Sequence, residues 1–321
     1  MGLYTVLDSR DIIADFFPKL EATMETIWSP RISIEIESDR ETEEYSWLGQ
    51  VPAMREWVGG RAEKSLNKYS LTIRNHVYEA TLPISVEDLR RDKTPQIRTR
   101  VSELAVRTAT HWNSLCAQLL DDGEAGTSGL AYDGQFFFDT DHDESGTSQS
   151  NDLTATEIPS ANVSDASAPT AVEAANIITE VVGYAQTLTD DQGEPINQMP
   201  MNVIIFVTKA QHHAAFNNAV GLMNFTGGVD NPVQGLKKAG WTFEVQYSSR
   251  LTAENNIRFC FGDPTMGATP LIRQNELGVQ TQLEGAGSHE EFTNNRHVFG
   301  VKAVRGVGFG VWQRAFFVAL S

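Results

Sequence analysis

The sequence contains little cysteine and no long apolar run. Only two of its 321 residues are cysteines, Cys116 and Cys260. Two cysteines do not make a disulfide framework, and they are typical of buried thiols in a reducing compartment. No run of residues approaches the roughly 18 apolar residues that cross a bilayer. The N-terminus also lacks the basic and then apolar pattern of a secretory signal, so we expect neither a membrane span nor export.

Basic residues are also in deficit, and the charge is unevenly distributed. The chain has 25 lysine and arginine residues against 42 aspartate and glutamate residues, for a formal net charge of −17. By segment, the net charge is −7 for residues 1–44, +4 for residues 45–112, −11 for residues 113–165 and −3 for the remainder. A chain this acidic does not adsorb to nucleic acid through its overall field, so we expect no conventional DNA- or RNA-binding role.

The composition is otherwise that of a globular protein. Hydrophobic residues make up 40% of the chain, charged residues 21% and aromatic residues 9%, which argues against a disordered or low-complexity chain. The length suggests about two domains and is sufficient to bury a sizeable core.

Residues 94–123 predict one long amphipathic helix. Thr94 can cap the first free amides, Pro95 occupies a position where its missing N–H is harmless, and Gly123 can take the left-handed conformation that ends a helix. At about 1.5 Å per residue, this helix is roughly 40 Å long. Its apolar stripe recurs at steps of three or four residues: Ile97, Val101, Leu104, Thr108, Trp112, Leu115 and Leu119.

The charges of this helix oppose its dipole. Arg98 and Arg100 lie near its positive end, and Asp121 and Asp122 lie near its negative end. Each placement is unfavourable by a few tenths of a kcal/mol when exposed. Either solvent screens these charges or another surface complements them, and the sequence leaves both interpretations open.

The remaining patterns mix helices and strands without regular alternation, which is typical of an α+β fold. We expect helices at residues 8–26, 170–188 and 209–220, the first with an interruption near Pro18. A further helix is expected to begin at residue 85. Strands are expected at residues 32–36, 202–208, 241–247, 257–261, 271–283 and within 297–320.

Residues 45–84 predict a long pair of strands that projects from the rest of the fold. The apolar residues alternate up to Ile73 and change parity after Asn75, which indicates a bulge or a strong twist. A two-stranded ribbon is marginal alone in water, so exposed tryptophan and methionine side chains on it imply a partner surface.

No set of residues predicts catalysis, a metal site or a cofactor site. Asp139, Asp141 and Asp143 have the spacing of a calcium loop, but Glu144 stands where that loop needs glycine and Ser150 where it needs glutamate. The histidines do not form a zinc pattern. A phosphate-binding glycine turn leads into a helix, and the glycines of RGVGFGVW do not. They therefore indicate close packing or bending of strands.

Several stretches, in order, resemble the major head proteins of Mu-like phages and prophages. They are FFPKLE, EEYSWLGQVPAMREWVGGR, YSLTIRNHVYEATLPISVEDL followed by the long helix, and GLAYDGQFFFDTDHD. The resemblance runs from about residue 10 to residue 145 and is looser beyond. It implies the Hong Kong 97-type capsid fold, an α+β fold with an N-terminal arm, an extended loop, a peripheral domain carrying a long spine helix, and an axial domain.

The resemblance also implies how the chain is divided. The arm would be residues 1–44 and the extended loop residues 45–82. Residues 83–140 and 285–305 would form the peripheral domain, and residues 141–284 and 306–321 the axial domain. Because no long charged helical leader precedes the arm in this sequence, the scaffolding protein is expected to be a separate chain.

The implied function is self-assembly, through pentamers and hexamers, into an icosahedral head shell around the double-stranded DNA of a tailed phage or prophage. The DNA would be enclosed without sequence-specific binding. The implied partners are the chain itself, a scaffolding protein, a portal and in some systems a decoration protein. The protein would be found in virions and assembled in the host bacterial cytoplasm.

Two alternatives from other classes remain. An encapsulin-like nanocompartment would share the fold and carry protein cargo, and a metal-dependent hydrolase would use the three aspartates of the acidic loop. For the shell subunit, the candidate intersubunit contacts lie on the extended loop and on the long helix: Trp47, Met54, Arg55, Trp57, Arg61, Arg98 and Arg100.

Overall fold

The computed structural model describes residues 9–48, 68–90, 94–144, 146–190, 193–252, 255–262 and 268–321. The α-helices are α1 (Ser9–Met24), α2 (Val86–Arg90), α3 (Thr94–Asp121), α4 (Ala171–Ala185), α5 (Ala210–Gly221), α6 (Pro232–Lys238) and α7 (His289–Asn294). The strands are β1 (Ser33–Glu37), β2 (Thr42–Leu48), β3 (Lys68–Arg74), β4 (His76–Ser85), β5 (His142–Glu144), β6 (Thr147–Gln149), β7 (Asp152–Leu153), β8 (Asn202–Val207), β9 (Thr242–Tyr247), β10 (Asn256–Gly262), β11 (Leu271–Glu284), β12 (Arg296–Phe309) and β13 (Ala315–Ala319).

Within the described residues, two sheets organise the chain. The first sheet has the strand order β1-β11-β12-β4, with β1 parallel to β11 and the other neighbours antiparallel. The second has the order β7-β13-β10-β8-β9, and α4, α5 and α6 pack with it around the larger hydrophobic core. The mixture of helices and mostly antiparallel sheets confirms the predicted α+β class.

The first sheet is covered on one face by α1 and α3. Phe16 and Leu20 of α1, Ile97 and Val101 of α3, and Phe299 of β12 are all buried in one cluster. Its burial explains why α1, which has little bulk of its own, is ordered, since the helix contributes an apolar face to this shared core.

The predicted helices and strands are mostly confirmed, although two helices and the three short strands β5, β6 and β7 were missed. α4 begins with the expected capping box, in which the Thr170 hydroxyl accepts from the Glu173 amide and the Glu173 carboxylate accepts from the Thr170 amide. α6 and α7 were not predicted, because each spans at most seven residues and is too short to show a helical period.

α3 confirms the predicted long helix, but its end differs from the expectation. The helix spans 28 residues and is followed by a 3₁₀ turn at Asp122–Glu124, so Gly123 keeps a right-handed backbone. The left-handed residue is Gly126, with φ of 66°. A Cβ on Gly123 would lie 2.6 Å from the Phe138 ring, so this glycine is required for packing and not for the turn. Among the described helices, none is both long and apolar enough to cross a membrane.

The predicted interruption of the first helix at Pro18 is wrong. α1 continues through Pro18 to Met24. A proline inside a helix costs about 3 kcal/mol. Burial of Phe16 and Leu20, which flank it, against α3 opposes this cost.

The predicted pair of projecting strands is correct only up to Asn75. β2 and β3 pair antiparallel from Thr42 opposite Arg74 to Leu48 opposite Lys68, and we call this pair the ribbon. β4 then leaves the ribbon and pairs with β12 in the first sheet. At the change, the Asn75 side-chain amide donates to the Arg40 carbonyl at 2.7 Å and to Ser38 Oγ at 3.0 Å, which explains the shift in apolar parity.

Glycines in β12 let the ribbon approach the sheet closely, as the sequence predicted. A Cβ on Gly308 would lie 2.4 Å from Ile73 Cδ1, and a Cβ on Gly306 would lie 2.9 Å from the Arg74 carbonyl oxygen. Because glycine has no side chain, β3 can lie directly on β12. The base of the ribbon is thus fixed against the first sheet.

Candidate assembly surfaces

Two buried arginines hold α3 to the first sheet through Trp112. The Arg305 guanidinium lies 4.6 Å from the centre of the Trp112 ring, and the Arg273 guanidinium lies 5.2 Å from it. Arg273 also pairs with Glu35 of β1 at 2.9 Å, and Arg305 donates to the Thr108 carbonyl at 3.1 Å. These contacts join α3, β1, β11 and β12 through cation–π and charge-assisted interactions.

The electrostatics of this cluster favour a neutral histidine beside the buried cations. Burial, together with the nearby Arg305 and Arg250, lowers the pKa of His111 to about 4. Burial lowers the pKa of Arg305 to about 10, so the guanidinium still carries its charge at neutral pH. His111 Nδ1, 3.3 Å from Arg305 Nη1, can therefore accept a hydrogen bond from it.

A third buried arginine forms an ion pair with the acidic end of α3. Arg258 is 1% exposed and its Nη2 lies 3.0 Å from Asp121 Oδ1. Burial lowers the pKa of Arg258, while the Asp121 carboxylate opposes that shift. Asp121 also accepts hydrogen bonds from the amide and hydroxyl of Thr252, at 2.8 Å each. The negative charge at the helix end is thus paired inside the chain.

The arginines near the start of α3 also have intrachain partners. Arg98 Nε lies 3.2 Å from Asp15 Oδ2 of α1, and Arg100 Nη1 lies 2.8 Å from Glu103 Oε2. Both arginine side chains remain more than half exposed. The charges that oppose the helix dipole are therefore compensated by ion pairs of the same chain, an explanation that the sequence did not identify. Exposed pairs of this kind contribute little to stability.

The other predicted contact residues are on the ribbon or beyond the described residues. Trp47 is in β2, opposite Tyr69 of β3. The remaining four lie outside the described residues: Met54, Arg55, Trp57 and Arg61. The structure thus places Arg98 and Arg100 on α3 and Trp47 on the ribbon, and it does not bring the described members into one cluster.

The loop that carries Asp139, Asp141 and Asp143 is organised around a buried histidine. His142 is fully buried, stacks on Trp312 with ring centres 4.0 Å apart, and lies between Asp133 Oδ2 at 2.6 Å and Asn151 Oδ1 at 3.2 Å. Asp139 accepts backbone N–H groups, and Asp141 is exposed. Across the described ranges, no group of three or more acidic, histidine or cysteine side chains could hold a metal ion.

Both cysteines are free and buried, as the sequence predicted. Burial raises the pKa of Cys116 to about 12 and also raises the pKa of Cys260. Because the thiolate is the reactive form, both side chains are unreactive at neutral pH.

A groove of about 530 Å³ opens between α3 and strand β4, and we call it the α3–β4 groove. Apolar or partly apolar side chains line its floor, among them Tyr78, Leu82 and Leu104. Its charged residues are the cations Arg100, Arg107, Lys302 and Arg305 and the anions Glu79 and Glu103. Four cations face two anions, so the groove is locally basic in a strongly acidic chain.

The buried arginines were missed by the sequence reasoning. Arg258 stands in the strand NIRFCFG and Arg305 in VKAVRGVGF. A single cation within an otherwise apolar strand is the signal that could have found them, because a buried charge requires a partner.

Comparison with solved structures identifies the class of fold. The capsid of cyanophage P-SCSP1u matches with a TM-score of 0.54 at 10% identity, covering 91% of this chain and 87% of that chain. The mature capsid of bacteriophage PhiM1 matches with a TM-score of 0.54 at 13% identity, over 92% and 87%. A virus-like particle from Pyrococcus furiosus matches with a TM-score of 0.52 at 11% identity, over 94% and 99%. The fold is the Hong Kong 97-type capsid fold, as the sequence predicted.

Sequence comparison relates part of the chain to phage head proteins. Residues 13–172 match the model of the Mu-like prophage major head subunit gpT. The major capsid protein of Escherichia phage Mu is 31% identical over 112 residues, which are 35% of this chain and 36% of that protein. The Mu-like prophage FluMu major head subunit of Haemophilus influenzae is 30% identical over 111 residues, 35% of each chain. Residues 13–172, just under half of the chain, are thus similar to Mu-like major head subunits. The alignments span about a third of the length of these two relatives.

Proposed function

We propose that this chain is a major capsid protein that assembles, as pentamers and hexamers, into the icosahedral head shell of a tailed phage or prophage. The family match over residues 13–172 carries this proposal, and the Hong Kong 97-type fold supports it. On this view the chain performs no catalysis. It forms virions in the host bacterial cytoplasm, encloses double-stranded DNA without reading its sequence, and cooperates with a separate scaffolding protein and a portal.

The division into domains is part of the same proposal. Residues 1–44 would form the arm and residues 45–82 the extended loop, with the ribbon at its base. Residues 83–140 and 285–305 would form the peripheral domain, and residues 141–284 and 306–321 the axial domain. The separate hydrophobic clusters on the two sheets support this division.

Electron microscopy of the expressed protein, alone and with its candidate scaffolding protein, tests the function. Shells or tubes are expected, and a protein that stays monomeric under both conditions would contradict the proposal. The fold alone does not separate a phage head from a nanocompartment. Nucleic acid recovered from particles made in infected or induced cells supports a head, whereas protein cargo supports the alternative.

The metal-dependent hydrolase is the remaining alternative, and one variant tests it. Replacing Asp139, Asp141 and Asp143 together with asparagine is expected to leave assembly unchanged, since the described part of the chain offers no metal cluster. Bound metal measured by elemental analysis of the wild type, and lost in the variant, would favour the hydrolase.

The candidate contacts give a specific prediction about assembly. We infer that Arg98 and Arg100, with Trp47 of the ribbon and with Met54, Arg55, Trp57 and Arg61 of the expected extended loop, contact neighbouring subunits. Arg98→Glu with Arg100→Glu is expected to reduce shell yield by about tenfold, because like charges across an interface repel. Particle yield by sedimentation measures the effect, and reversing acidic arm residues should restore it in part.

Two outcomes would contradict that prediction. Normal, filled shells from the double variant would show that these arginines contact neither neighbour nor DNA. Normal empty shells that fail to fill would show that the arginines face the packaged DNA.

A further inference from the structure

The most exposed large apolar side chain among the described residues is that of Phe292, which is 92% exposed. Phe292 lies in α7, the short helix between β11 and β12. Each of these strands has 14 residues and they pair with each other, so α7 stands at the end of a long hairpin. We call residues 284–297 the tip. Single exposed apolar residues are common on protein surfaces, so exposure alone assigns no role to Phe292.

The tip is held by contacts that do not involve the Phe292 side chain. At the start of α7, the Ser288 hydroxyl accepts a hydrogen bond from the Glu291 amide at 3.2 Å. At its end, Asn295 takes the left-handed conformation, and the Asn295 carbonyl accepts from the Val86 amide at 3.1 Å. The exposed ring is therefore presented on a fixed backbone. A side chain held in this way loses less entropy when it binds, which is the property of a strong interface contact.

The tip is also acidic. It contains Glu284, Glu290 and Glu291 against one cation, Arg296, for a net charge of −2 with histidine neutral. Arg296 pairs with Glu290 at 2.8 Å, so two negative charges are in excess of the cations of the tip. A surface that binds the tip must therefore accommodate both an aromatic ring and negative charge.

The α3–β4 groove has both properties. Its floor contains the half-buried side chains of Tyr78, Leu82 and Leu104, and its volume of about 530 Å³ is large enough for a phenyl ring. Its four cations and two anions give it a net charge of +2, opposite in sign to the charge of the tip. In the described part of the chain, β4 is the edge strand of the first sheet, so the groove lies at an open edge.

Arg107 is the cation of this groove that is most accessible to a partner. Its side chain is exposed and, within the described ranges, makes no ion pair or hydrogen bond. By contrast, Arg100 pairs with Glu103 at 2.8 Å, and Arg305 is only 4% exposed and lies against the Trp112 ring. A guanidinium group binds carboxylates and also packs favourably on aromatic rings. Arg107 can therefore contact the ring and the negative charge of the tip together.

A second groove, of about 900 Å³, fits the tip less well. It lies between β3, the end of α3 and residues 127–134. Its charged residues are Arg74 and Asp133, which give it no net charge. Arg74 already pairs with Glu41 at 2.7 Å, and Asp133 lies 2.6 Å from His142. This groove therefore offers no electrostatic attraction to the acidic tip.

The tip does not reach the groove of its own subunit. In the pairing of β4 with β12, Ser85 lies opposite Arg296 and Ala80 lies opposite Val301, which lines the groove. At about 3.3 Å per residue, the five steps from Arg296 to Val301 cover roughly 17 Å. α7 lies beyond Arg296 and is held there by the hairpin. The tip that fills a groove must therefore come from a second copy.

We propose that the tip of one copy of this chain docks in the α3–β4 groove of a second copy, with the Phe292 ring on the apolar floor and Arg107 beside it. Each subunit carries one tip and one groove, so every copy can give one contact and receive another. This inference rests on the proposed shell function and deepens it by naming two surfaces that meet. It makes no use of the acidic arm, so it is tested independently of the contact predicted for Arg98 and Arg100.

Substitutions on both surfaces test the proposal. Phe292→Lys is expected to reduce shell yield by about tenfold, because it removes the ring and places a cation against Arg107. Arg107→Glu is expected to reduce the yield by about tenfold as well, because it repels the acidic tip. Combining the two should return the yield to within about threefold of the wild type, since the two new charges attract each other. Sedimentation measures the yield of particles.

Two matched controls show whether the effect is specific. Met199→Lys is the control for Phe292→Lys, because Met199 is 60% exposed and lies outside both surfaces. Lys19→Glu is the control for Arg107→Glu, because Lys19 is also exposed and outside the groove. Both controls should keep the wild-type yield, and losses equal to those of the test variants would overturn the inference. Thermal unfolding identifies any variant that fails to fold, and Phe292→Ser or Arg107→Gln then replaces it.

The outcomes separate this inference from the proposed function. Wild-type shell yield from Phe292→Lys would overturn the inference while leaving the function intact. Normal shells of Arg107→Glu that fail to fill with DNA would also overturn it, because the groove would then face nucleic acid. If Arg107→Glu no longer bound the scaffolding protein while Phe292→Lys still bound it, the groove would belong to the scaffold, and the inference would again be wrong.

Cross-linking tests the contact without requiring shells. A tagged chain with Phe292→Cys is mixed with an untagged chain carrying Arg107→Cys, and the mixture is oxidised. Cys116 and Cys260 are buried and do not interfere. A disulfide-linked dimer of one tagged and one untagged chain is expected, whereas linkage no greater than between Met199→Cys and Arg107→Cys would overturn the proposal. Formation of this dimer without shells in the wild type would count against the proposed function alone.

Discussion

Asp121→Ala is expected to lower the free energy of unfolding by about 3–5 kcal/mol, because it leaves the buried Arg258 guanidinium without its carboxylate. Arg258 is 1% exposed and packs against the Phe317 ring at 5.1 Å, so water cannot replace the lost partner. The same substitution also removes the two hydrogen bonds that Thr252 donates to Asp121. Urea unfolding followed by tryptophan fluorescence measures the loss.

Two further variants show whether the buried charge is the cause. Asp122→Ala, one residue away, removes a side chain of the same charge just beyond the end of α3. Among the described residues, it loses a single side-chain hydrogen bond, from the Ser128 hydroxyl. It should change stability by less than about 1 kcal/mol. Adding Arg258→Met to Asp121→Ala should recover part of the loss, since the unpaired charge is then gone. Equal stability of Asp121→Ala and Asp122→Ala would contradict this account, and so would stabilisation by Asp121→Ala, which the helix dipole alone predicts.

The elements that sequence reasoning predicted correctly are those specified by local chemistry. α3 was recognised from its apolar stripe and its Thr94 and Pro95 start, and α4 from its Thr170 and Glu173 capping box. In both cases the residues that specify the element lie within a few turns of one another. Resemblance to a family then supplied the arrangement of these elements, which periodicity alone could not provide.

The predictions that failed depended on contacts between distant parts of the chain. Pro18 does not interrupt α1, because the helix packs against α3 more than 70 residues later in the sequence. Gly123 does not take a left-handed conformation, because it lies within a 3₁₀ turn, and its missing side chain instead leaves room for the Phe138 ring. β4 leaves the ribbon for β12, a strand that lies more than 200 residues away. Local propensity is overridden in each case by tertiary packing.

The candidate contact residues were also difficult to interpret from sequence, because their partners lie in distant parts of the chain. Arg98 and Arg100 were selected because they oppose the dipole of α3, a property visible in sequence. The structure pairs them with Asp15 and Glu103, so their charge is explained within the chain. Arg107 and Lys302 are ordinary surface cations by sequence, and only the fold brings them to one groove beside an open strand edge. A groove formed by a helix and a distant strand cannot be recognised before both are placed.

Gly262→Ala, at the contact between the two sheets, is expected to lower the free energy of unfolding by about 3 kcal/mol. This is the upper end of the range for overpacking. A Cβ on Gly262, at the end of β10, would lie 1.9 Å from the carbonyl oxygen of Arg31, a backbone atom that cannot rotate away. Arg31 precedes β1 and also pairs with Glu244 of β9, Nη2 to Oε1 at 3.1 Å. Relief of the clash must therefore move the start of β1 away from the second sheet.

Gly183→Ala provides the matched control for this contact. Gly183 lies within α4, and a Cβ there would meet no atom within 4 Å. Alanine should stabilise that helix by about 0.5–1 kcal/mol, so the two glycine substitutions have opposite expected signs. Because β1 leads directly into the ribbon, Gly262→Ala should also reduce shell yield, by more than its thermal destabilisation alone explains. Wild-type stability and yield in Gly262→Ala would show that the backbone contact between Gly262 and Arg31 is not required to hold the two sheets together.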